Sequence, residues 1–250
     1  KKFNMKAIKW HIGCSGFHYR EWKHKFYPEK LPQKRWFEFY SSQFNTLELN
    51  VTFYRFPRLA VLEDWHERSP SDFSFAVKAP RLITHYKQFN ECESLLNDFY
   101  DTVQKGLKEK LGVVLFQLPP SFTYSVEKLD RIVQSLRTEV YNAVEFRNAG
   151  WWRREVFEAL EANKIIFSGV SYPALPDKVV VNGAIAYYRF HGVPKLYYSV
   201  YQHLFLKEVA DSLLKNKNIE EAFLYFNNTA SMAAIENAKW VKEYVHNNGT

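Results

Sequence analysis

The feature that most constrains this chain is an alternation sustained along its length, in which short apolar runs of strand length are separated by stripes of helical spacing. Strand-like runs lie near residues 9–14, 45–51, 73–79, 112–118, 142–147, 164–170, 184–190 and 222–227. Between them apolar side chains return every three or four residues. The first stripes are Trp36, Phe37, Tyr40 and Phe44, then Leu59, Leu62 and Trp65, then Leu95, Leu96, Phe99, Val103 and Leu107. Val126, Leu129, Val133 and Leu136 follow, then Val156, Phe157 and Leu160, Leu206, Val209 and Leu213, and Ala234, Ala238, Val241 and Val245. Strand, helix, strand in strict order calls for parallel pairing with helices on the outer face, and eight such units in 250 residues call for a closed (β/α)8 TIM barrel. The span 171–183 contains Pro173 and Pro176 and no helical stripe, so the helix after strand six is expected to be irregular or missing. A doubly wound open sheet is the competing architecture. It usually carries a GxGxxG turn after its first strand, and Gly13-Cys14-Ser15-Gly16 lacks that spacing.

No linker, repeat or compositional break divides the chain, so residues 1–250 are expected to form one domain. No run approaches the roughly 18 apolar residues of a membrane span, and none is expected to enter a membrane. The opening residues Lys1–Lys6 lack the apolar centre of a secretory signal, which leads to an expected cytoplasmic location. Cys14 and Cys92 are far apart and in no chelating pattern, so neither a disulfide framework nor a zinc module is expected. The formal net charge of +7 favours anionic partners, small molecules or nucleic acid, although Lys and Arg are scattered along the helices rather than gathered on one face.

Parity converts the strands into a candidate site. Alternate side chains of a barrel strand point inward, and catalytic groups of such barrels gather at the carboxyl-terminal rim. In strand two, Leu47, Leu49 and Val51 form the helix-facing set, which leaves Thr46, Glu48, Asn50 and Thr52 facing inward. The same reading turns inward Ala76 and Lys78, Leu115 and Gln117, Glu145 and Arg147, Tyr187, Arg189 and His191, and Tyr225 and Asn227. Polar groups from at least six strands thus converge on one mouth. Cys14 falls on the packed parity, and Ser15 lacks the GxSxG context of a hydrolase nucleophile.

These residues sit in seven ordered segments. Ile12-Gly13-Cys14-Ser15-Gly16-Phe17 comes first, then Phe44-Asn45-Thr46-Leu47-Glu48-Leu49-Asn50 running through to Arg55, and Val77-Lys78-Ala79-Pro80-Arg81. Leu115-Phe116-Gln117-Leu118-Pro119-Pro120-Ser121-Phe122, Val144-Glu145-Phe146-Arg147, Arg189-Phe190-His191-Gly192 and Tyr225-Phe226-Asn227-Asn228 follow. Together they resemble the YecE-like family, domain of unknown function 72, over nearly the whole chain. The resemblance implies a TIM barrel and no particular activity. Two departures stand out: where relatives often end strand six with an acidic residue, this chain has Phe167-Ser168-Gly169-Val170-Ser171, and the glycine usual after Asn227-Asn228-Thr229 is replaced by Ala230-Ser231-Met232.

Three chemistries fit the residues. An anion site would use Lys78, Arg81, Arg147 and Arg189, with Gln117, Asn227 and Asn50 as neutral partners and Tyr54 and Trp151 as aromatic walls. Set against Glu48 and Glu145, those four cations leave the mouth positive by two. Glu48 and Glu145, with His191, would be the acid–base groups of a hydrolase of phosphodiesterase or glycosidase type, unless arginine pairing lowers their pKa values. Glu48, His85, Glu145 and His191 are also metal-ligand types, but they stand in no HxH or HExxH spacing, so no metal is assigned and no cofactor is required. Phe17, Tyr19, Trp22, Trp152, Tyr197 and Tyr198 are further rim aromatics. The leading reading is an enzyme acting on a phosphorylated or nucleic-acid substrate at the barrel mouth. A non-catalytic barrel that binds an anion or a partner is the alternative, and a metal-dependent sugar-isomerase-like enzyme is the third.

Overall fold

The structure is a computed structural model and describes residues 7–249. The opening Lys1–Lys6 segment, on which the expected location rests, and the outer limits of the expected domain lie outside the described residues. The eight strands are β1 (Lys9–Ser15), β2 (Thr46–Leu49), β3 (Ser74–Lys78), β4 (Leu111–Leu118), β5 (Asn142–Phe146), β6 (Ile165–Ser171), β7 (Ile185–Phe190) and β8 (Glu221–Phe226). They pair in parallel in sequence order, and β8 closes on β1 through a register running from Lys9 opposite Glu221 to Cys14 opposite Phe226. The expected strands are found within one or two residues of their limits. The exception in kind is strand two, which stops at Leu49 so that Asn50 turns into a helical conformation and begins a new element.

The helices are α1 (Trp36–Gln43), α2 (Val51–Tyr54), α3 (Leu59–Arg68), α4 (Glu93–Leu107), α5 (Val126–Ser135), α6 (Arg154–Ala162), α7 (His203–Leu214) and α8 (Ala233–Asn248). The expected stripes fall on these helices or at their ends and supply most of their buried faces, as with Leu96, Phe99, Val103 and Leu107 of α4, although Val126 at the start of α5 is exposed. Ser125 caps α5, its hydroxyl accepting from the Lys128 amide at 3.3 Å. No helix follows β6. The chain there runs without regular structure, turning near Ala174, and its Val179, Val180 and Val181 pack on the core in the helix's place. Asn182 completes the cover: its amide accepts from Phe167 N and donates to Ile165 O, both at 2.9 Å, and so satisfies β6 backbone groups that an adjoining strand would otherwise meet.

Two separate apolar clusters result. The larger lies between sheet and helices, and the smaller fills the barrel with Ala76, Val113, Leu115, Ala143, Ile166, Tyr187, Phe223 and Tyr225. His11 stacks on Phe223 with ring centroids 4.1 Å apart, plugging the amino-terminal end. On β1, Gly13 is required by contact, since a Cβ there would stand 2.2 Å from the Thr46 carbonyl oxygen. Ala230, where the resemblance led to an expected glycine, is not among the residues with positive φ, so this loop has no need of glycine's conformational freedom at that position. Among the described residues no helix is long and apolar enough to cross a membrane.

Candidate functional site

The inward parity read from the strands places Glu48, Glu145 and Arg189 where the barrel floor gives way to its mouth, and all three side chains are fully buried. Arg189 spans the barrel from β7 to β2 and β5. Its Nη2 and Nε donate to Glu48 Oε1 at 2.7 and 3.2 Å, and its Nη1 donates to Glu145 Oε2 at 2.6 Å. Glu48 also accepts from the Ser15 hydroxyl at 2.6 Å and, on its other oxygen, from the Tyr187 hydroxyl at 2.6 Å. Glu145 Oε1 takes the Arg147 Nε–H at 2.6 Å. Two carboxylates and two guanidiniums thus neutralise one another in a water-poor interior, where a broken pair would be costly.

This arrangement corrects several expectations. Arg189 has no exposed surface with which to meet a ligand, so it is a strut that orients two carboxylates. The carboxylates themselves are poorly suited to acid–base work. Burial alone would raise Glu145, but Arg189 and Arg147 outweigh it and hold the carboxyl well below the usual range, so it has no proton to give near neutrality. Glu48 has hydrogen bonds on both oxygens. His191 is fully buried with Nε2 3.2 Å from Arg147 Nη2 and Nδ1 2.9 Å from the Asn227 side-chain amide. Burial, then Arg147 and Arg189, lower its pKa to about 3, so it is a neutral spacer rather than a general acid.

Trp151 is wholly packed, stacked between Phe146 and Phe122 with its Nε1–H on Phe122 O at 2.7 Å, and forms no wall of the mouth. Trp22 is likewise core and donates to Ser231 O. Arg81 stays on the exposed rim, over the rings of Tyr54 and Tyr86 at 5.7 and 5.5 Å, and Tyr54 is 66% exposed. Asn50 opens a separate groove of about 680 Å³, lined by Tyr19, Arg55, Phe56, Arg58 and Trp65 among others, into which no member of the charge network reaches. The four residues of metal-ligand type, Glu48, His85, Glu145 and His191, do not assemble, because Arg189 stands between the carboxylates. Among the described residues no group of three His, Cys, Asp or Glu side chains is disposed to hold an ion.

What remains at the mouth is a pair of cations. Lys78, the last residue of β3, keeps 8% of its surface and Arg147 keeps 9%. No carboxylate of the described residues lies within ion-pair distance of Lys78. Its ammonium sits instead over the Phe53 ring, 3.9 Å from the centroid. Burial, reinforced by Arg189 and Arg147 and only partly opposed by Glu145 and Glu48, lowers its pKa to about 7. His85 meets the Phe53 ring edge-on at 5.0 Å, and burial with Lys78 and Arg147 lowers it to about 4. Gln117 adds a side chain that donates to Leu118 O at 3.0 Å. Arg147 stacks over Tyr172 at 4.3 Å, and its Nη1 has no bonded acceptor among the described residues. Because Arg189 is internally neutralised and Arg81 lies on the rim, the one group beyond the balanced network that can add charge to the mouth is Lys78, which is an ammonium below about pH 7 and a free amine above it.

Phe53, Tyr172, Ser15 and Tyr187 thus belong to the site. Parity had already turned Tyr187 inward without assigning it a role, Ser15 had been considered only as a nucleophile, and Phe53 and Tyr172 lie in connections that parity does not reach.

Comparison with known proteins agrees with this architecture. A DUF72 family protein from Thermotoga maritima superposes with a TM-score of 0.86 at 27% identity, covering 95% of this chain and 99% of that one. A DUF72 family protein from Enterococcus faecalis shares the fold, with a TM-score of 0.81 at 17% identity over 95% of each chain. In sequence, UPF0759 protein YunF of Bacillus subtilis is 30% identical over 139 residues, 53% of this chain and 49% of that protein. UPF0759 protein YecE of Escherichia coli is 32% identical over 112 residues, 44% of this chain and 41% of that protein. The chain therefore spans about half or less of the curated relatives it matches. The family described as "Protein of unknown function DUF72" matches residues 11–250, and with the closed parallel barrel already in view, the chain belongs to that family.

Proposed function

We propose that the carboxyl-terminal mouth is the active site of an enzyme for an acidic substrate, phosphorylated or carboxylated, received by Lys78 and Arg147. One observation carries this reading. The buried charges pair off two against two, while Lys78 is desolvated beside them with an aromatic ring for company and no counter-ion. Burying an uncompensated cation costs stability, so a position that served packing alone would be better filled by an apolar side chain. Glu48, Glu145 and Arg189 act as positioning residues that fix Arg147. Arg81 over Tyr54 and Tyr86 extends the cationic surface outward, which suits a longer anion such as a nucleic-acid strand.

A thermal-shift screen with inorganic phosphate, carboxylic acids, sugar phosphates and short oligonucleotides tests the reading. A ligand at 100 times its Kd stabilises the fold by about 2.7 kcal/mol. We expect stabilisation by acidic ligands that Lys78→Met abolishes. Acidic ligands that bind Lys78→Met as tightly as the parent, or the binding of none, would reject it. Tight binding without turnover of any bound ligand would favour the non-catalytic barrel.

A further inference from the structure

We propose that Lys78 is a covalent nucleophile, forming an imine with the carbonyl group of an aldehyde or ketone that also carries a carboxylate or phosphate. The inference rests on the anion-receiving mouth proposed above and names its substrate class. Four placements support it. Lys78 ends β3 at the mouth, where a barrel presents its reactive groups. Among the described residues its Nζ lies over Phe53 with no carboxylate to hold it as an ammonium, whereas Lys110, the other buried lysine among them, gives its amine to His66 O, Ser69 O and the Ser69 hydroxyl. The charged and titratable groups that act on it are Glu48 of β2, Glu145 and Arg147 at the end of β5, Arg189 of β7 and His85 after β3. The carboxylates among them are already neutralised by arginines, and His85 is neutral. Arg147 has an uncommitted Nη1 for the substrate's acid group. Desolvation next to other cations is a recognised route to a free amine near neutral pH, and the lowered pKa of Lys78 agrees with it.

The step balances without a further reagent. The Nζ lone pair attacks the carbonyl carbon, the C–O π pair moves to oxygen, and that oxygen takes up a proton as nitrogen gives one to solvent. Loss of water from the carbinolamine leaves a C=N bond between Lys78 and the substrate carbon. The substrate's anionic group offsets the charge that a protonated imine would add beside Arg147.

The test is reductive trapping on the intact parent protein. The protein is incubated separately with pyruvate and dihydroxyacetone phosphate at saturating concentration, quenched with borohydride, and digested for site-resolved mass spectrometry. We expect one dominant adduct at pH 7, on the peptide containing Lys78, with labelling half-maximal near pH 7. Surface lysines need a pH near 10 to reach the same fraction of free amine. Occupancy at Lys78 should exceed that of any other lysine at least tenfold. Inorganic phosphate should protect Lys78 in proportion to its own binding. Labelling spread evenly over the lysines, or confined to sites other than Lys78, would overturn the proposal. Should phosphate and pyruvate stabilise the fold in a manner dependent on Lys78 while no adduct is trapped there, the covalent step fails and the anion site stands. If neither binding nor trapping occurs, both readings fall.

Discussion

At the scale of single residues, the site is governed by which charges have partners. Lys78 has none. Its folded pKa of about 7 lies below the ~10.4 of an unfolded lysine, so between those values the unfolded chain holds the extra proton and stability rises with pH. Lys78→Met should therefore be more stable than the parent at pH 7 by a few kcal/mol, an advantage that shrinks by about 1.4 kcal/mol per pH unit toward pH 10. Urea denaturation at several pH values would show it, and an unchanged or less stable variant would count against a desolvated amine. Arg189 poses the opposite case. Arg189→Ala strands Glu48 and Glu145 and should cost ~3 to 5 kcal/mol. Arg189→Lys should also be destabilised, because one ammonium cannot reproduce the fork that reaches both carboxylates. Acid should act through His191 and Glu145. The His191 pKa of about 3 lies below its unfolded value, so stability is lost as pH falls from about 6.5 toward 3, and Glu145 adds to the loss below about 4.5. His191→Asn should flatten the slope near pH 5 by about one proton's worth, read from the same denaturation series.

At the scale of elements, the connection after β6 and the short helix after β2 show how irregular segments complete a regular barrel. Asn182 substitutes for secondary structure by serving two β6 backbone groups at once. Asn182→Ala would leave a buried N–H and a buried C=O unpaired, at about 1 to 3 kcal/mol for each. Loss of stability without loss of ligand binding is the expected outcome, since Asn182 lies apart from the mouth. Helix α2 has the contrasting role. Thr52, in its second position, donates its single hydroxyl proton to the Lys78 carbonyl at 2.6 Å, with the Leu49 carbonyl also within 3.0 Å, which ties α2 to the end of β3. That tie brings Phe53 over the Lys78 amine. Thr52→Val should keep the volume but loosen this contact, and the half-maximal pH for trapping at Lys78 should shift while the fold survives.

For the whole molecule, closure of β8 on β1 joins the two ends of the described fold in one hydrogen-bonded ring, so no strand can leave it without breaking its hydrogen bonds to two neighbours. Chemical denaturation followed by tryptophan fluorescence and by far-ultraviolet circular dichroism should give coincident transitions. Separated midpoints would point to independently folding parts. The sequence alone determined the order and number of strands, the break in the helical pattern after β6, and the inward parity of Glu48, Lys78, Glu145 and Arg189. Those properties are written in local periodicity and turn residues, which need no knowledge of distant contacts. It could not determine which of those inward charges neutralise one another. Arg189 and Glu48 are 141 residues apart and meet only because the barrel closes. Burial then decided their roles: an arginine with no exposed surface holds carboxylates, and a tryptophan stacked between two phenylalanines holds a loop. The same closure left Lys78 over Phe53 without a counter-ion, because the two carboxylates at the mouth, Glu48 and Glu145, had already been claimed by Arg189 from another strand.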